Sequence, residues 1–189
     1  ERMVELTDDP GLLGRPRLPG APDADSLAVP MMLLCAADQI REGRGNFPFE
    51  DRLDGWVRRI LLHIDREREL VLENVSPDGS RLPGADGRLI NPGHAIEAGW
   101  FLLEHLQNRG IEDHRADALA MIDWSFERGW DGERGGIFYF LDAEGYSPAP
   151  LEWSMKLWWP LCEALYGALL AYHITGENRW LERFTLVWD

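Results

Sequence analysis

Residues 91–103 read Asn91-Pro92-Gly93-His94-Ala95-Ile96-Glu97-Ala98-Gly99-Trp100-Phe101-Leu102-Leu103. Asn91 suits a helix N-cap and Pro92 the first helical position, so a helix opens here. From Ala95 to Leu103 its only charge is Glu97, and a helix that is apolar all round is buried on all sides. The same character returns in Ser26 to Ala37, uncharged throughout, and in residues 164–172, ALYGALLAY, also uncharged. Between them lie helices of another kind. In residues 50–65, Leu53, Trp56, Val57, Ile60, Leu61 and Ile64 follow an i, i+3, i+4 spacing, with Asp51, Arg52, Asp54, Arg58 and Arg59 facing away. Residues 113–127 and 178–188 repeat that pattern, which belongs to helices with one wet face.

The order is therefore buried, amphipathic, buried, amphipathic, buried, amphipathic. The buried helices start near Ser26, His94 and Pro160, at spacings of 68 and 66 residues. A near-constant period of this kind marks a repeat of helix pairs. An inner ring of helices wrapped by an outer ring satisfies it, so the sequence predicts an all-α fold, an (α/α)6-barrel type toroid. Three inner/outer pairs make about half of such a ring, within one domain over residues 1–189. A plain bundle needs no alternation of fully apolar helices, and an α-solenoid usually repeats at about 34 to 47 residues. At this period a closed ring takes roughly 400 residues. The chain opens on ERMVEL, which reads as the end of a helix, and stops inside one at FTLVWD. A fragment of a larger fold is the expectation.

Composition narrows the partners. The 33 acidic and 19 basic residues give a net charge of −14, a surface that repels phosphate backbones and anionic lipid. Nucleic acid and membrane partners are not expected, and no run of about 20 apolar residues could span a bilayer. Glu1-Arg2-Met3 opens no signal-peptide pattern. Cys35 and Cys162 lie far apart in apolar surroundings and read as buried thiols in a reducing, cytoplasmic compartment. Trp supplies nine residues against seven Phe and four Tyr. Large rings fill cores, and they also stack on the C–H faces of sugars.

The connections that enter the buried helices are rich in Gly, Pro and Trp: GRPRLPGAPDAD, GRLINPG and LEWSMKLWWP. They should gather at one mouth of the ring, where such loops carry function. VLENV before the turn SPDG, and GIFYFL before DAEG, read as short strands of loop hairpins.

The motif at 91–97 also carries the sharpest chemistry. His94 falls in the first turn, at the positive end of the helix dipole, which disfavours the imidazolium. It is predicted neutral near pH 7 and able to accept a proton. Glu97 follows on the same face, placed to hold one tautomer of His94 or to accept from a substrate hydroxyl. Its charge pulls the His94 pKa upward, so the spacing leaves the net direction open. A merely capping histidine is the structural alternative. The second constellation is Glu152-Trp153, Lys156, Trp158-Trp159 and Glu163. Two adjacent tryptophans cannot both face one core, so one of them either lines the mouth or packs at the helix junction. His63, His105, His114 and His173 read as structural. Asp131 and Glu133 resemble a piece of a metal loop without the spacing that would complete it, and Gly135-Gly136 reads as a tight turn. No phosphate-binding glycine loop and no GxSxG occurs.

Together, GRPRLPGAPDADSLAVPMMLL, VLENVSPDGS, GRLINPGHAIEAGWFLLEH, GWDGERGGIFYFLDAEG and LEWSMKLWWP resemble the N-acylglucosamine 2-epimerase family, from about Gly14 to Val187. The resemblance implies an (α/α)6 barrel of about 400 residues working as a cytoplasmic homodimer. It implies interconversion of N-acetylglucosamine and N-acetylmannosamine through an enediolate, with no cofactor in the chemistry and ATP as an allosteric activator. The wider superfamily adds other sugar epimerases and aldose–ketose isomerases, and one relative binds renin, so a non-catalytic interaction protein is the remaining alternative. A glycoside hydrolase on the same toroid would need two carboxylates at the scissile bond, for which Glu97 and Glu163 are candidates.

The family's GHxxE histidine maps onto His94, with Glu97 its carboxylate, and its paired-Trp motif maps onto Trp158 and Trp159. A second catalytic histidine and a sugar-binding arginine are implied in helix pairs outside this sequence, so the 189 residues alone are expected to turn over little or nothing. Close relatives read WWPH where this chain has Leu161. The predicted set is His94 and Glu97 for catalysis, Trp158, Trp159, Glu163, Asn91 and Arg88 around an amino sugar, and no metal.

Overall fold

Asn91 Oδ1 accepts the His94 amide at 3.2 Å and Pro92 occupies the first turn, so the motif opens a helix as its residues require. Gly110, at φ 65°, closes it in the left-handed region where a side chain would strain. The computed structural model describes residues 2–14, 19–44 and 48–189. Within them the helices are α1 (Arg2–Asp8), α2 (Ala28–Arg44), α3 (Leu53–Leu62), α4 (Pro92–Arg109), α5 (Arg115–Gly129), α6 (Trp158–Thr175) and α7 (Asn178–Trp188).

The predicted pairs form. Helices α2, α4 and α6 lie side by side with α4 in the middle, and α3, α5 and α7 each cover their own inner partner. This is part of an α/α toroid. Its main core runs through Leu34, Ile60, Ile96, Leu102, Leu103, Met121 and Trp180, all sealed from solvent. Helix α4 packs closest: a Cβ on Gly99 would lie 2.8 Å from the Ile122 side chain and 3.0 Å from the Ala118 carbonyl oxygen. Only a residue without a side chain lets α4 and α5 approach this far.

Apolar content did not bury every inner helix on all sides. Helix α6 packs Pro160, Ala164, Gly167, Ala168 and Ala171 inward, while Trp158, Cys162, Tyr166 and Leu169 face outward. Its neighbours among the described elements lie on one side, so uniform hydrophobicity cannot bury the other. The two cysteines are therefore not both buried: Cys35 is half-buried and Cys162 exposed, and both are free. Burial is the main cause that pushes the Cys35 thiol up to about 11.

The loop strands pair differently from the local hairpins expected. They are β1 (Asp25–Ser26), β2 (Ile64–Asp65), β3 (Leu70–Val71), β4 (Asn74–Val75), β5 (Leu89–Ile90) and β6 (Leu141–Asp142). Only β2 and β3 make a local hairpin. VLENV does run into a tight turn, in which the Ser76 amide donates to the Ser80 carbonyl. Its second half, however, pairs with β1, and β6 at the end of GIFYFL pairs with β5. Phe138 bridges to Lys156 as well. The loops entering α2, α4 and α6 are thus joined to one another at one mouth. Residues 15–18 of the first loop lie outside the described residues.

Lys156 fastens this mouth. Its Nζ lies 2.8 Å from Asp131 Oδ2 and 3.4 Å from the centre of the Phe138 ring. Asp131 Oδ1 accepts from the Glu133 and Arg134 amides, and Gly135 and Gly136 turn at φ 72° and 83°. The acidic pair that resembled a metal loop is an anchored turn. Among the described residues, no three His, Cys, Asp or Glu side chains gather closely enough to hold a metal ion, and no helix is long and apolar enough to cross a membrane.

Candidate active site

His94 stands in the first turn of α4, where the entry loops meet. Its side chain is 27% exposed, against 10% for that of Glu73 beside it. Nδ1 contacts both carboxylate oxygens of Glu73, at 3.0 and 3.1 Å. Glu73 comes from the segment between β3 and β4, and Glu97 is not the bonded partner. Burial alone would lower the His94 pKa. The Glu73 hydrogen bond and charge, reinforced by Glu97, outweigh burial and raise it. The net direction that the spacing left open is therefore upward, since the dipole acts diffusely and the carboxylate through direct contact.

Trp159 is the inward tryptophan. Its ring centre lies 5.4 Å from that of His94, tilted by 37°, and Tyr139 meets its edge at 6.2 Å. Trp158, 76% exposed, points away. The space Trp159 needs is left by Gly93: a Cβ there would lie 2.6 Å from the indole and 3.1 Å from Pro160. Gly93→Ala is expected to displace Trp159 from His94 at a cost of about 1–3 kcal/mol, read as a changed tryptophan emission and a lower denaturation midpoint.

Glu97, one turn below His94, is half-buried, and its carboxyl is pushed up to about 7. Burial is the larger cause and the Glu163 charge the next, while His94 acts in the opposite direction. Glu163, from α6, accepts the Trp100 Nε1–H at 2.7 Å. Burial raises its pKa and this bond lowers it, with a net rise. Two carboxyls held back from ionisation thus act on one another near the histidine, Glu97 from its own helix and Glu163 from α6.

The sign of the Glu97 effect on stability follows from its raised folded pKa. The ionised form is disfavoured by folding, so the cost is absent below the ordinary value of 4.5, grows between 4.5 and about 7, and is complete above that. Glu97→Gln is expected to match the parent near pH 4.5. It should exceed the parent by about 1–2 kcal/mol at pH 8, after discounting for the solvent that reaches a half-buried group. Urea denaturation at the two pH values reads the gap.

The other predicted residues divide. Asn91 is buried and spends its carbonyl on the helix cap, leaving Nδ2 without a partner. Arg88 is committed elsewhere: Nε donates to Asp142 Oδ2 at 2.9 Å, Glu144 lies 3.8 Å away, and the guanidinium covers Tyr146. It ties the loop before β5 to the turn after β6. Leu161 packs against the main core. Glu73 and Tyr139 were absent from the predicted set. A lone carboxylate inside the apolar strand VLENV was the available signal for Glu73, because a buried charge needs a partner.

The chain as a whole resembles known proteins. Residues 28–189 match the model of a family described as N-acylglucosamine 2-epimerase (GlcNAc 2-epimerase). The N-acylglucosamine 2-epimerase of Bos taurus is 48% identical over 184 residues, which cover 95% of this chain and 43% of that protein. The chain spans less than half the length of the curated relatives it matches. Among solved structures, the cellobiose 2-epimerase of Bacillus thermoamylovorans B4167 superposes with a TM-score of 0.71 at 16% identity, covering 87% of this chain and 40% of that one. A D-mannose isomerase superposes at 0.65 and 17%, covering 87% and 44%.

Proposed function

The chain belongs to the N-acylglucosamine 2-epimerase family, and from that premise we propose that it serves a sugar 2-epimerase acting on N-acetylglucosamine and N-acetylmannosamine. The observation that carries this reading is the placement of His94, half-open at the mouth and 5.4 Å from the Trp159 ring. The aldehyde of the ring-opened sugar acidifies the hydrogen on C2. His94 takes that hydrogen as a proton and leaves an enolate, not the enediolate first expected, because C2 of these sugars carries an acylamino group in place of a hydroxyl, and return of a proton to the other face inverts the centre. Trp159 offers a flat apolar platform for the sugar. Glu97 and Glu163 offer carboxyls to its hydroxyls, and Glu97, poised near neutrality, exchanges protons without a large energetic gap. The second histidine implied by the family resemblance serves the opposite face.

No cofactor enters this chemistry, and ATP belongs to the reading only as an activator. The native protein is read as a cytoplasmic homodimer. The D-mannose isomerase likeness supports a second reading, in which the sugar is a 2-hydroxy aldose, the same proton abstraction leaves an enediolate, and reprotonation at C1 yields a ketose. The test incubates the native full-length protein with N-acetylmannosamine in heavy water. Deuterium at C2 together with N-acetylglucosamine, seen by NMR, is the expected result. A ketose product, formed from mannose in a parallel incubation while N-acetylmannosamine stays unchanged, selects the second reading, and unlabelled, unchanged sugar in both incubations overturns both.

A further inference from the structure

The carboxylate on His94 is held more firmly than its loop setting requires. The Glu73 amide donates to the Leu89 carbonyl at 2.8 Å, and its own carbonyl accepts the Leu27 amide at 2.9 Å. Ser26 Oγ lies 3.4 Å from Oε1. One residue earlier, Leu72 is clamped from both sides by His63. The Leu72 amide donates to the His63 carbonyl at 2.9 Å, and His63 Nδ1 donates to the Leu72 carbonyl at 2.8 Å. His63 is sealed in the core, where burial lowers its pKa and keeps it a neutral, fixed donor. Three parts of the chain, residues 26–27, 63 and 89, therefore converge on Leu72 and Glu73. A carboxylate has no hydrogen to give, so the double contact at Nδ1 requires the hydrogen on Nδ1. In the neutral ring the lone pair then sits on Nε2, which bonds no described residue and is not sealed from solvent.

We propose that Glu73 is the positioning carboxylate of His94: it accepts Nδ1–H, fixes the ring, and leaves Nε2 as the nitrogen that receives the sugar's C2 proton. Glu73 touches no reacting atom and acts through His94. The charged groups facing His94 are Glu73 from the loop and Glu97 from its own helix, while α6 presents the uncharged Trp159 ring, with Glu163 acting on Glu97 beyond it. When the proton arrives on Nε2, the imidazolium forms against a carboxylate already in contact, so no group has to move to stabilise it. The role assigned to Glu97 in the sequence is thereby divided. Glu73 holds the tautomer, and Glu97 is left free for the substrate.

The proposal rests on reading His94 as the C2 base, and its test separates the two. The native full-length protein, labelled with 15N-histidine, is compared with Glu73→Gln and Glu73→Leu by imidazole NMR, with His94→Gln to assign the signal. The neutral His94 ring of the parent should carry its hydrogen on Nδ1. Glu73→Gln, which still accepts that hydrogen, should keep the tautomer but lower the His94 pKa. Glu73→Leu should lose the tautomer. In steady-state kinetics Glu73→Gln should lower kcat on the order of 10²-fold with KM unchanged, and the acid limb of its rate profile should move down in pH with the NMR titration. The His63 signal, unchanged in both variants, shows that the clamp still folds, and if Glu73→Leu does not fold, Glu73→Gln decides. A His94 titration and tautomer unaltered in Glu73→Gln overturns the proposal. Undiminished C2 exchange in His94→Gln overturns the catalytic reading instead, whatever the spectra show.

Discussion

Exchange of the C2 hydrogen by the native protein is expected to fall about 10²- to 10⁴-fold in His94→Ala, the range that removal of a positioned general base produces. The loss should appear in kcat, because the Trp159 platform and the carboxyls of Glu97 and Glu163 remain to hold the sugar. Alanine keeps the α4 cap, since Asn91 bonds the backbone amide of residue 94 and not its ring. It takes the His94 contact from Glu73, in a side-chain setting only 10% exposed, so a modest fall in stability accompanies the loss. Deuterium uptake at C2, followed by NMR at a saturating sugar concentration, measures it. Exchange within about threefold of the parent would remove the His94 ring from the chemistry.

Trp180→Ala is expected to cost about 3–5 kcal/mol, the range for removing a large aromatic from a core. Trp180 has no solvent exposure. The Arg179 and Arg183 guanidinium carbons lie 4.5 and 5.0 Å from its ring, and both arginines reach across to α5, where they meet Asp123. Arg183 also donates to Glu127 at 2.6 Å. The indole is thus the apolar centre of the seam that fastens α7 to its neighbours, with charges only at its rim. Its Nε1–H is buried without a partner, so Trp180→Phe gives up no hydrogen bond and should cost less than about 1.5 kcal/mol. Chemical denaturation of the two variants separates lost volume from lost polarity. Equal costs would show that the indole nitrogen has a role the packing does not explain.

The two predictions draw on parts of the molecule that were unequally legible in the sequence. Helices α3 and α7 announce themselves by spacing, and the start of α4 by Asn91 and Pro92, because these are local preferences of neighbouring residues. The division of Trp158 from Trp159 was legible as a necessity but not in its outcome: adjacent residues on a helix point about 100° apart, and the inward turn of Trp159 depends on Gly93, 66 residues before it. Glu73 was hidden for a related reason. Its partner lies 21 residues further on, and the contact depends on β4 pairing with β1, which no period records. Arg88 misleads in the opposite direction. A cation beside a glycine-rich mouth looks available for a ligand until the turn 54 residues away delivers Asp142.

The seams between β1 and β4, between β5 and β6, and between Phe138 and Lys156 have a kinetic corollary. Each helix pair is made of helices consecutive in the chain, whereas the first two of these seams close spans of about 50 residues. Local contacts form early and distant ones late. The helix pairs should therefore be in place before these two seams close, so that a refolding molecule passes through a state with native helicity and a mouth not yet assembled around His94. Ellipticity should recover ahead of the His94 resonance, and the last thing such a protein acquires is its chemistry.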